Sequence, residues 1–136
     1  MKLDIPYIAG FIDGEGCINI SRLSDVRIVI TNTHLETLEK IKTVFNCGTI
    51  RAKSRSVKDK STKVCYMYEA WGRDCENILL QVYPYLFQKQ EQAKLALEFL
   101  SLMRRRGDTG YKRDLTQDQK VHRLFLQNRV KELKHG

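Results

Sequence analysis

The sequence predicts an α+β fold with the element order α-β-β-α-β-β-α-α-α, and three observations carry that reading. Apolar residues recur at helical spacing up to the glycines Gly14 and Gly16. Two pairs of segments alternate apolar and polar residues with the period of strands. Thr33 with Glu36, and Thr116 with Gln119, match the capping-box pattern that opens helices.

Each element follows from its own residues. Ile5, Ile8, Ala9 and Ile12 give residues 4–13 one apolar helical stripe. Residues 17–22 place Ile18 and Ile20 on one face and Asn19 and Ser21 on the other; Val26, Ile28 and Ile30 alternate with Arg27, Val29 and Thr31, so the two runs predict a hairpin. The box at Thr33 opens a helix with Leu35, Leu38, Ile41 and Phe45 buried, and Asn46-Cys47-Gly48 ends it. Residues 49–53 and 63–71 form a second hairpin, joined by a connection at 54–62 too charged to enter a core. Asp74 is read as the cap of a helix carrying Cys75, Ile78, Leu79 and Val82, which Pro84 stops. A helix over residues 88–104 buries Ala93, Ala96, Leu97, Leu100 and Met103, and a last helix after Thr116 buries Val121, Leu124, Phe125, Val130 and Leu133. The expected organisation is a single domain over 1–136, with a core at about 4–104 and an extension at about 105–136.

Composition narrows the partners. With 24 Lys and Arg against 16 Asp and Glu, the net charge of +8 favours a polyanion. No apolar run approaches a membrane span, and Asp4 and Pro6 precede the first apolar stretch, so neither insertion nor secretion is expected. Cys17, Cys47, Cys65 and Cys75 lack any C-x-x-C or nearby histidine pattern, which argues against zinc and for reduced thiols in a reducing, intracellular compartment, the cytoplasm of a prokaryote or an organelle matrix.

Residues 8–16, Ile-Ala-Gly-Phe-Ile-Asp-Gly-Glu-Gly, carry the chemistry. Gly10 and Gly14 fall on one helical face, where another backbone can approach closely. Asp13 and Glu15 sit at the helix C-terminus, where the macrodipole disfavours each by about 0.3–1 kcal/mol, so a cation is expected to offset them. This segment resembles the motif of the LAGLIDADG homing endonucleases, matching at Ala9, Gly10, Ile12, Asp13 and Gly16, with Ile8 and Phe11 in place of leucines.

The resemblance implies a homing-endonuclease fold, an αββαββα core with an antiparallel saddle sheet and extra C-terminal helices. It implies site-specific cleavage of both strands of a long pseudo-palindromic double-stranded DNA target, with Mg²⁺ as divalent cofactor, no small-molecule cofactor and no membrane. Because the chain holds one motif, a homodimer packed through Ile8, Ala9, Gly10, Phe11, Asp13 and Gly14 supplies the second active-site acid. Glu15 and the Gly14 carbonyl are the implied metal ligands. Asp13 is read rather as organising the motif turn. Residues 84–93 resemble the family segment that places a lysine beside the active site, here Lys89, to orient or activate water; a solvated first-turn lysine is the plainer alternative. Asn32 stands where relatives carry a polar amide, although it also reads as a helix-entry residue. The alternative function is a non-cleaving nucleic-acid-binding relative, an intron maturase or a DNA-binding regulator.

The polar sheet face suits the major groove. Asn19, Ser21, Arg27, Arg51 and Lys53 alternate with the apolar positions and are expected to face DNA, with Arg55 on the basic connection. For residues 63–71, either Met67 and Glu69 or Tyr66 and Tyr68 face outward, and the charge of Glu69 favours the first.

Overall fold

A computed structural model describes residues 2–20, 26–53, 64–104, 124–126 and 128–133. Helix α1 spans Ile5–Glu15, with the Asp4 carboxylate accepting the Tyr7 N–H at 2.9 Å and a proline in its first turn. Ile8, Ala9 and Ile12 are fully buried along its inner stripe. Its end requires glycine: a Cβ on Gly16 would lie 2.7 Å from the Ile12 carbonyl oxygen.

Strands β1 (Gly16–Ile20), β2 (Val26–Asn32), β3 (Thr49–Ala52) and β4 (Tyr66–Trp71) form one antiparallel sheet in the order β1-β2-β4-β3. Register places Ile18, Ile28 and Ala70 in one row and Ile30, Tyr68 and Ile50 in another, on the face that meets the helices. There they join Ile8, Ile12, Leu38, Ile41, Ile78, Leu79 and Phe99 in a single apolar cluster. The opposite face carries Asn19, Arg27, Arg51, Met67, Glu69 and Trp71.

Helices α2 (Leu35–Phe45), α3 (Gly72–Val82) and α4 (Gln90–Arg104) complete the core, with a 3-10 turn at Tyr83–Tyr85 between α3 and α4. Gly48, just after α2, has φ +92°, and a Cβ there would meet the Tyr68 ring at 2.5 Å, so both conformation and space demand glycine. The Tyr68 hydroxyl donates to the Cys47 carbonyl at 2.8 Å beside it. Burial raises the Tyr68 hydroxyl and the Cys47 thiol above their ordinary values and pushes the Cys75 thiol up to about 12. All four cysteines are free.

Several local expectations change. Helix α2 begins after His34, because the Asn32 side chain already accepts the His34 N–H at 2.8 Å and Glu36 turns to Lys40, so Thr33 and Glu36 do not form the box. Helix α3 starts at Gly72, which puts Asp74 inside the first turn rather than at the cap. Ala52 is exposed at the end of β3, the sheet's edge strand, while Ile50 is half-buried. Residues 124–126 and 128–133 are helical; Val130 is buried as expected, whereas Leu124 and Phe125 are exposed and Leu126 is buried in their place. On α4, Phe99 is buried in addition to the expected alanines and Leu100. The connection at 54–62, the box at Thr116 and the residue Val121 lie outside the described residues.

Candidate active site and nucleic-acid face

The C-terminal tip of α1 is tied to the entrance of α4 by one carboxylate. Asp13 accepts the backbone N–H groups of Phe87 at 2.7 Å and Lys89 at 2.9 Å through its two oxygens. Lys89 closes the clasp, its Nζ donating to the Asp13 carbonyl at 2.5 Å. Its ammonium thus sits where the last carbonyls of α1 gather negative partial charge, supplying part of the compensation expected from a cation. Asp13 is consequently an organiser of the tip, and its occupied oxygens are not placed to line a packing face.

Glu15 ends α1 exposed, and among the described residues it has no hydrogen bond or ion pair. No cluster of three or more His, Cys, Asp or Glu able to hold a metal occurs among the described residues. One chain therefore offers the Glu15 carboxylate and the neighbouring Gly14 carbonyl, hard oxygen donors of the kind Mg²⁺ takes. Asn32 follows the β2 residues that pair with β1, and Gly16 opposite Ile30 sets it near the same end of the sheet. Its Oδ1 accepts the His34 amide, a helix-entry role, and among the described residues it has no hydrogen bond to Glu15 or Lys89.

Along α1, Gly10 and Gly14 are exposed, and a Cβ at either would meet nothing within 4 Å. Tyr7 and Phe11, at the spacing that shares this face, stack with ring centroids 6.4 Å apart. Phe87, held by Asp13 through its amide, is 92% exposed. This apolar stripe with backbone-level gaps differs from the expected packing set beyond Asp13. Ile8 and Ala9 are fully buried in the chain's own core and cannot reach a second molecule. Tyr7 and Phe87 were missed, although the Tyr7–Phe11 spacing carried a signal.

On the outer sheet face Asn19 and Met67 are half-buried and Arg51 is exposed; Lys53, just past the end of β3, is exposed as well. Ser21 and Arg55 lie outside the described residues. Met67 and Glu69 share this face, but Glu69 is not accessible: its side chain is 6% exposed and held between two guanidiniums. Arg51 Nε donates to one oxygen at 2.8 Å and Arg27 Nη1 to the other at 3.3 Å. Arg27 also lies over the Trp71 ring, 5.0 Å from its centroid, a cation–π contact of about 0.5–1 kcal/mol near a surface. Trp71 was not foreseen, though its step of two from Glu69 places it on the same face.

An acid-tipped helix with open glycines packs on a four-stranded sheet whose opposite face carries arginines. The chain belongs to the LAGLIDADG endonuclease family, whose model matches residues 8–102. It is 30% identical over 111 residues to the DNA endonuclease I-CvuI of Chlorella vulgaris, the match covering 73% of this chain and 65% of that relative. A crystal structure of I-CvuI in complex with the I-CreI target in the presence of Mg superposes with a TM-score of 0.74 at 23% identity, covering 97% of this chain and 82% of that one. The archaeal intron-encoded homing endonuclease I-Vdi141I complexed with DNA gives 0.74 at 20% identity, covering 95% and 82%. The homing endonuclease I-TnaI gives 0.71 at 18%, covering 99% and 98%. No helix among the described residues is long and apolar enough to cross a membrane.

Proposed function

We propose that this protein is a site-specific homing endonuclease that acts as a homodimer, as one domain with its core at about 4–104, and makes double-strand breaks in a long pseudo-palindromic DNA target with Mg²⁺. The observation that carries the reading is the pairing of an unpartnered, exposed Glu15 with an open Gly10–Gly14 face on the same helix. A two-fold axis along that face brings two Glu15 carboxylates together, and each chain supplies what the other lacks. Family membership and the DNA complexes of I-CvuI and I-Vdi141I support DNA as the substrate.

The residues divide the work by position. Glu15 and the Gly14 carbonyl would hold the cation, and Mg²⁺ held there would supply Lewis acidity toward the scissile phosphate and the leaving oxygen. Lys89, fixed at the Asp13 carbonyl, places a positive charge beside the tip, where it orients water and screens charge developing on the phosphate. Asp13 sets that geometry by holding the Phe87 and Lys89 amides. Arg51 and Asn19 face the groove from the sheet, and Lys53 follows just past the end of β3. Four free thiols fit a reducing compartment.

A non-cleaving binder is the competing reading, and the free Glu15 argues against it: an unpaired carboxylate facing phosphates weakens binding unless a cation sits between them. Incubation of a randomised duplex library with Mg²⁺, followed by sequencing of the cut ends, tests the proposal. Cut sites with two-fold related halves are expected; bound but intact duplexes would establish the binder instead.

A further inference from the structure

The carboxylate at the centre of the arginine-bearing sheet face has no part in the scheme above. Glu69 lies on β4, opposite Val29 of β2 and Thr49 of β3. Arg27 stands opposite Trp71 and Arg51 opposite Met67, so the two arginines approach Glu69 diagonally from opposite sides. We infer that Glu69 is a positioning residue for sequence recognition: it never touches DNA but holds Arg51 in the orientation that reads one base pair of each half-site. This rests on the site-specific reading proposed above.

The argument starts from cost. A carboxylate on a face that meets phosphates lowers affinity, and a buried one also loses its hydration. Here it is 6% exposed with each oxygen on a different guanidinium. The three groups together keep one net positive charge, so attraction to DNA survives while both arginines lose freedom.

The two arginines are held differently. Arg27 is gripped at Nη1, lies over Trp71 and is 33% exposed, which makes it a brace. Arg51 is held at Nε and is 64% exposed. Its Nη2 rests 3.7 Å from the Met67 sulfur, a soft contact. With one Nη2 N–H donated to that sulfur, Nη1 and the second Nη2 N–H remain as the presented donor pair, matched to the O6 and N7 acceptors of guanine. A fixed guanidinium loses less rotamer freedom on binding and tolerates fewer wrong bases than a mobile one.

The test is a binding selection from a randomised duplex library in Ca²⁺, run with the wild-type protein, Glu69→Gln and Arg51→Lys. Both variants are expected to lose about tenfold of the preference at one and the same base pair per half-site, from the discrimination a bidentate contact provides. For Glu69→Gln the other positions stay unchanged, and so does the slope of log affinity against log salt, because no phosphate contact is removed. A role confined to folding would lower stability without moving a single position of the recognised sequence. Where Glu69→Gln does not fold, Glu69→Asp keeps the charge, withdraws it by a methylene, and is expected to lose the same position. Unchanged selection by the folded variant, or losses by Glu69 and Arg51 variants at different positions, overturns the inference while leaving the endonuclease reading intact. Absence of any preference in the wild-type protein overturns both.

Discussion

Glu15 and Glu69 are the same side chain in opposite circumstances. Glu15 ends a helix, exposed and without a partner among the described residues. Glu69 is buried in a sheet, with both oxygens engaged by arginines. The contrast teaches that the role of an acid in a phosphate-facing protein follows from what compensates it. An uncompensated acid at the tip can recruit a cation, whereas a compensated one can only shape its partners.

Breaking the first half of that contrast has the largest expected effect. Glu15→Gln keeps the shape and removes the charge, so cleavage should fall by at least about a hundredfold while duplex binding in Ca²⁺ persists. A single-turnover cleavage assay reads this, and undiminished cutting would remove Glu15 from the chemistry. Gly10→Leu should turn the proposed dimer into a monomer in sedimentation. Because no atom lies within 4 Å of a Cβ at Gly10, the monomer's own melting temperature should stay nearly unchanged. An intact dimer would place association on another surface.

Asp13 is a third acid that sharpens the comparison, since its partners are amides rather than arginines. Asp13→Ala frees two N–H groups at the entrance of α4 and should cost about 1–2 kcal/mol in urea unfolding, the range of a lost helix cap. It should also slow cleavage by loosening Lys89. A smaller effect belongs to α3, in the helical layer behind the sheet. The Cys75 thiol has its value raised from 9.0 to about 12 by burial, so above pH 9 the unfolded chain releases a proton that the folded chain retains. Stability should therefore decline between pH 9 and about 12, and Cys75→Ser should flatten that decline in thermal melts taken across the window.

Much of this was legible because it is local or periodic. The alternation of Ile18, Ile20, Ile28 and Ile30 assigns the sheet's two faces, and the same alternation puts Arg27 and Arg51 outward. The glycines and acids of residues 8–16 mark the tip of α1 before any contact is known. Capping was read less well at Thr33 and Asp74, because a neighbouring side chain or a positive φ at Gly72 can take over the start of a helix.

The sequence by itself determined the order of elements, the Gly10–Gly14 face of α1, the basic balance and the presence of an acid at the motif's end. Those depend on spacing within one segment. Only the tertiary structure decided that Asp13 binds the amides of Phe87 and Lys89, that Ile8 and Ala9 are spent on the chain's own core, and that Glu69 disappears between two arginines. Each of these joins residues far apart in the chain, and no period within a segment encodes which distant partner will neutralise a charge.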